Sequence, residues 1–162
     1  MSAFKSILVP TDFGEPANRA IDLAIELGAK FGSKLTLLHA FTLPITDGGY
    51  AAGLSWPIDD LAAAAKTELD GALRKARERY PVVEGIVACG NPCGRILDAI
   101  ETIGADLVVM GTHGRRGLSR VFLGSVAEKV VHLSPVPVLT VSGSEVQRVK
   151  KKLMAAVAEP TK

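Results

Sequence analysis

Short aliphatic runs alternate along this chain with longer segments whose apolar residues recur at three- and four-residue steps, and that alternation constrains the fold most. A strand apolar on both faces needs helices above and below it, and a helix placed between two such strands returns the chain to a parallel neighbour. The first run is Ser6-Ile7-Leu8-Val9-Pro10, ending in Thr11-Asp12. A helix is predicted next, with Pro16 in its first turn, where a missing N–H is harmless, and Ala17, Ala20, Ile21, Ala24, Ile25 and Phe31 on one face. The second strand is predicted at 34–40. Ile58–Arg79 has helical composition and period, with Leu61, Ala62, Ala65, Leu69, Ala72, Leu73 and Ala76 facing inward and Pro81 closing it. A third strand at 82–88 leads to Asn91-Pro92, a helix start with Asn as cap and Pro as first residue. Ile96, Leu97 and Ile100 form that helix's inner face. A strand at 106–110, a helix at 125–132 and a strand at 136–141 complete the pattern. The result expected is an α/β domain with an open, parallel, five-stranded sheet, right-handed crossovers and helices on both faces.

The domain is expected to fill residues 1–143. Residues 144–162, with Arg148, Lys150, Lys151 and Lys152, read as a basic tail that is a short helix or disordered. Residues 41–57, with Gly48, Gly49 and Gly53, form an irregular connection long for a compact domain and read as a mobile flap.

Composition closes several alternatives. Hydrophobic residues are 48% of the chain but aromatics only 5%, so the core is aliphatic, as a helix-covered parallel sheet requires. A formal charge of +2 gives no ground for a nucleic-acid partner. No apolar stretch reaches the roughly 18 residues of a membrane span. The N-terminal apolar run breaks at Pro10 and Asp12, short of a signal peptide, so a cytoplasmic protein without a membrane partner is expected. Cys89 and Cys93 are no disulfide framework, and a zinc site needs about four ligands, so no metal centre built from them is expected. Cys93, in a first helical turn, reads as a packed thiol, His39 as a satisfied strand-end histidine, and His132 as a partner of a helix C-terminus.

The chemistry concentrates after the fourth strand, in Gly111-Thr-His-Gly114-Arg-Arg-Gly117-Leu-Ser-Arg120-Val-Phe-Leu-Gly124-Ser125. Glycines there let the backbone approach an anion closely. Gly124 and Ser125 open a helix, whose unpaired N–H groups and dipole favour negative charge. The Ser125 hydroxyl is expected either to cap that helix or to donate to a phosphate oxygen. Residues 112–123 contain Arg115, Arg116, Arg120 and His113 and no acid. Three exposed arginines alone signify little; set between anion-receptive glycines, they point to a phosphate. The loop is neither GxxxxGK[ST] nor GxGxxG.

The spacing Gly111-x2-Gly114-x9-Gly124-Ser125 resembles the G-x2-G-x9-G-[S/T] signature of ATP-binding universal stress proteins. The resemblance extends through Ile7-Leu8-Val9-Pro10-Thr11-Asp12, Gly90-x-Pro92, Ala105-Asp106-Leu107-Val108-Val109-Met110 and Pro135-Val136-Pro137-Val138-Leu139. It implies an adenine nucleotide alpha hydrolase-like sheet in the order 3-2-1-4-5, with Asp12 opposite Gly111 at the switch point. It implies ATP as the ligand, bound alone or with Mg2+ or Mn2+. Pro10, Thr11 and Asp12 would line the nucleoside pocket, with Ala40 or Phe41 near the adenine. Met110, Gly111, His113, Gly114, Arg115, Gly124, Ser125 and Val126 would follow the ribose and phosphates. A carboxylate suits ribose hydroxyls and repels phosphates, which agrees with that placement of Asp12. Many relatives read Asp-x-Ser where this chain has Asp12-Phe13-Gly14, so a helix cap is missing and the pattern leaves the start of the first helix open.

Three function classes follow: a nucleotide-dependent regulatory or stress-response module without efficient turnover, a slow ATPase or phosphotransferase, and a nucleotide-free chaperone-like interaction dimer. The intact signature favours the first. The absence of a carboxylate at the phosphate end of the loop disfavours fast phosphoryl transfer. A homodimer through the last strand is expected, since a Val- and Leu-rich sheet edge needs covering; Pro135 and Pro137 limit how much of that edge can donate hydrogen bonds.

Overall fold

A computed structural model describes residues 4–43, 58–112 and 123–142. Its elements alternate without exception: β1 (Ser6–Pro10), α1 (Glu15–Phe31), β2 (Lys34–Phe41), α2 (Ile58–Arg79), β3 (Val83–Cys89), α3 (Pro92–Ile103), β4 (Leu107–Gly111), α4 (Ser125–Leu133) and β5 (Val138–Val141). All pairings are parallel, in the order β3-β2-β1-β4-β5. This is the single open α/β sheet expected from the sequence.

Side chains alternate across each strand, and the two faces collect separate cores. Ile7, Val9, Leu35, Leu37, Leu107 and Val109 pack with α1 and α2. Leu8, Leu38, Val108 and Met110 pack with α3 and α4. Ile7, Leu8 and Val9 of the central strand are 0% exposed, and burying each side chain contributes about 1.5–3 kcal/mol. The α1 face buries Ala17, Ala20, Ile21, Ala24 and Ile25, while Phe31 is half-buried against the edge of Phe4. On α2, Ala65, Leu69, Leu73 and Ala76 are buried, whereas Leu61, Ala62 and Ala72 reach only half-burial.

Local chemistry sets the element ends. Gly14 is the N-cap of α1, with no side-chain cap bond and Pro16 in the first turn, so the missing serine leaves that end uncapped. Asn91 caps α3, its side chain accepting from the Gly94 N–H at 3.2 Å. Three expected strand starts move. β3 runs one residue later than 82–88. Asp106 lies outside β4 because its carboxylate accepts from the Lys5 and Ser6 N–H groups. β5 begins at Val138 rather than 136, since Val136 instead exchanges hydrogen bonds with the Ser134 hydroxyl. Most of the expected flap (44–57) and the basic tail (144–162) lie outside the described residues. No described helix is long and apolar enough to cross a membrane.

Candidate functional site

Pro10 decides where the sheet opens. In a parallel strand, successive residues direct their backbone hydrogen bonds to alternate neighbours. Thr11 donates to the Leu38 carbonyl at 2.8 Å, on the β2 side, and the Ser6 carbonyl accepts from Asp106, on the β4 side. Residue 10 therefore faces β4, and proline has no N–H to offer there. The ladders follow suit: β1 pairs with β2 as far as Pro10↔Leu38, but with β4 only through Ile7↔Leu107 and Leu8↔Val108. β4 stays paired with β5 to Gly111↔Val141. The two central strands thus part at their carboxyl ends, at the topological switch point where ligands of open α/β sheets bind.

A cavity of about 230 Å³ occupies that gap. Pro10, Thr11 and Asp12 line it from the end of β1 and the turn after it, Ala40 from β2, and Met110 and Gly111 from β4. Gly124, Ser125 and Val126 line it from the start of α4. His113, Gly114 and Arg115 lie outside the described residues. Sequence reasoning missed Ala17, Leu38, Thr112, Pro92, Ile96 and Ala127. Most of these are apolar and indistinguishable from core residues in the sequence; they line the cavity only because α1, α3 and α4 bring their ends to one point.

The rim is built mostly by local hydrogen bonds. The Phe13 N–H donates to Thr11 Oγ1 at 3.0 Å and the Gly14 N–H to Asp12 Oδ1 at 2.9 Å. Phe13 has φ +63°, the only non-glycine residue at positive φ among the described residues. That conformation costs roughly 1–2 kcal/mol. Its ring lies 4.5 Å from the His39 ring, a contact worth about 0.5–1.5 kcal/mol for an aromatic pair, and its N–H bond adds about 1 kcal/mol. Strain and contacts nearly balance, so the turn is held rather than relaxed. His39 is half-buried, with Nδ1 2.9 Å from the Thr11 carbonyl oxygen, as expected of a satisfied histidine.

Opposite, Gly111 passes against the first turn of α1: a Cβ there would lie 2.8 Å from the Pro16 carbonyl carbon and 2.9 Å from the Ala17 nitrogen. The Gly124 N–H donates to the Thr112 carbonyl at 2.6 Å and closes the base of the loop. Gly124, not Ser125, is the N-cap of α4, and the helix has no side-chain cap bond. Ser125 occupies the first helical position, so the cap role expected for its hydroxyl is not made. The α4 N-terminus, with its orphan N–H groups, forms one wall. Cys89 is exposed and Cys93 is buried in the α3–α4 core, consistent with a packed thiol.

The model of the universal stress protein family matches residues 3–142. The chain belongs to this family. Among its relatives, universal stress protein YxiE of Bacillus subtilis is 32% identical over 146 residues, covering 85% of this chain and 99% of YxiE. Universal stress protein MJ0531 of Methanocaldococcus jannaschii is 33% identical over 142 residues, covering 85% and 82%. The solved structure of MJ0577 matches this universal stress protein with a TM-score of 0.72 at 28% identity, covering 88% of this chain and 98% of that one. A universal stress protein solved in complex with cAMP matches with a TM-score of 0.66 at 26% identity, covering 88% and 100%.

Proposed function

We propose that this universal stress protein binds ATP in the cavity between β1 and β4 and acts as a nucleotide-dependent regulatory or stress-response module without efficient turnover. One observation carries the reading. Residues picked out for a nucleotide from four separate segments of the sequence, Phe41 apart, line one cavity at the switch point wherever they are described. The largely apolar wall suits a purine, Asp12 suits ribose hydroxyls, and the α4 N-terminus suits a phosphate. The sequence between Thr112 and Leu123 supplies Arg115, Arg116 and Arg120 as counter-charges for a triphosphate. The relative solved with cAMP supports an adenine nucleotide.

Turnover is disfavoured by the placement of acids. Among the described lining residues Asp12 is the only carboxylate, at the nucleoside end, and Glu128 is exposed on α4. Neither stands where a metal-holding acid is needed for phosphoryl transfer. Mg2+ or Mn2+ would then be held chiefly by the phosphates. Adenine nucleotide is expected in mass spectra of the freshly purified, denatured protein. ATP at about a thousandfold excess over Kd should add about 4 kcal/mol of stability, a rise in Tm of roughly 10 °C.

Gly124→Asp separates fold from ligand. Gly124 has φ −62° and ψ 151°, which any residue adopts, and Asp is a better N-cap than Gly. The variant should fold at least as stably as the parent, yet its carboxylate should repel phosphate and erase the ATP-induced rise in Tm. An undiminished rise would remove phosphate from the α4 end. Phosphate release in single turnover distinguishes a switch from a slow ATPase.

A C2 homodimer through β5 belongs to the same proposal. β5 is an edge strand, with Leu139 39% exposed and, on α4, Val131 at 45% and Leu133 at 62%. Pairing with a second copy covers this apolar edge. Sedimentation velocity is expected to show a dimer at micromolar concentration; a monomer there would exclude it.

A further inference from the structure

The turn that carries Asp12 is tethered from β2. A carbonyl oxygen only accepts, so the 2.9 Å contact between His39 Nδ1 and the Thr11 carbonyl requires the hydrogen on Nδ1. The same imidazole packs against the Phe13 ring, with centroids 4.5 Å apart and planes inclined by 42°. Phe13 is the residue at positive φ, and its backbone turns the Gly14 N–H back onto Asp12 Oδ1 at 2.9 Å. That bond helps to orient the carboxylate at the cavity rim. Phe13 is also held by its N–H bond to Thr11 Oγ1 and by the Asn18 side chain on its carbonyl. Losing the His39 contacts would loosen this turn and weaken the Gly14 N–H bond to the Asp12 carboxylate.

We propose that His39 and Phe13 are positioning residues for the Asp12 carboxylate, and so set how strongly the cavity prefers a ligand bearing ribose hydroxyls over its deoxy counterpart. The inference rests on the nucleotide reading above. His39 neither lines the cavity nor needs to touch the ligand; it acts through the Thr11 carbonyl and the Phe13 ring.

The test is calorimetric titration of the full chain with ATP and with 2′,3′-dideoxyATP. The wild type should prefer ATP. His39→Phe keeps a ring against Phe13 but removes the donor, and should lower ATP affinity about tenfold, the scale of one hydrogen bond to a charged group. Its affinity for the dideoxy compound should stay within about twofold, so that the preference collapses. His39→Asn restores an amide donor near the Nδ1 position and should recover part of it. Equal losses for both nucleotides would show a merely structural histidine and overturn the inference, as would a wild type that does not distinguish them. A wild type that binds neither removes the nucleotide reading and this inference with it. Independently of ligand, long-range 15N–1H spectra of the wild type should show the Nδ1–H tautomer at His39; the Nε2–H tautomer would break the tether on which the argument stands.

Discussion

Gly111→Ala is expected to destabilise the domain by about 1–3 kcal/mol, the usual scale for forcing a methyl into a packed site. In a domain of this size, that lowers Tm by roughly 3–8 °C. The Cβ would meet backbone atoms of Pro16 and Ala17 at 2.8 and 2.9 Å, closer than real Cβ atoms come. Those atoms belong to the first turn of α1 and cannot rotate away like the tip of a side chain. Relief requires α1 to retreat from β4, and α1 carries the Asp12 turn at its start. ATP affinity should therefore fall along with stability. Gly71→Ala is the control: it lies inside α2 with nothing within 4 Å of the new Cβ. There alanine should raise stability by roughly 0.5–1 kcal/mol, through helix propensity. Urea denaturation of both variants checks the opposite signs; a Gly111→Ala protein as stable as the parent would mean that α1 does not rest on β4.

The second large effect concerns adjacent residues of one strand. Leu37 and Leu38 are each 1% exposed, and truncating either to alanine should cost about 2–5 kcal/mol. They point to opposite faces. Leu37 packs with α1 and α2, whereas Leu38 packs on the α3–α4 side and also lines the cavity. Leu37→Ala should lower Tm and leave the ligand affinity of the folded protein unchanged. Leu38→Ala should lower both, because its missing atoms widen the pocket itself. Calorimetry well below each variant's Tm separates the terms. Affinity lost equally in the two variants would mean that general loosening, not the pocket wall, controls binding.

Much of this fold was legible because its signals are local. The period of α1 and α2, Pro16 in a first turn, Asn91-Pro92 as a capped start and the aliphatic runs of β1, β2 and β4 each act within a few residues, so patterning alone places those elements. Strand ends were less legible, because competing side-chain bonds decided them: the Asp106 carboxylate holds Lys5 and Ser6, and the Ser134 hydroxyl holds Val136.

The site divides the same way. Glycine spacing and an acid after β1 mark a chain that can hold an anion and a hydroxyl-bearing ligand, since the positions available to glycine and carboxylate are restricted by their own chemistry. Tertiary structure alone decided that Leu38, Ile96 and Ala127 form a pocket wall rather than more core, and that Pro10 stands where its missing donor separates β1 from β4. It alone brought His39, a strand-end residue without a motif, onto the Thr11 carbonyl. Those roles depend on which groups meet across long sequence separations, and side-chain identity does not encode that until the sheet has assembled.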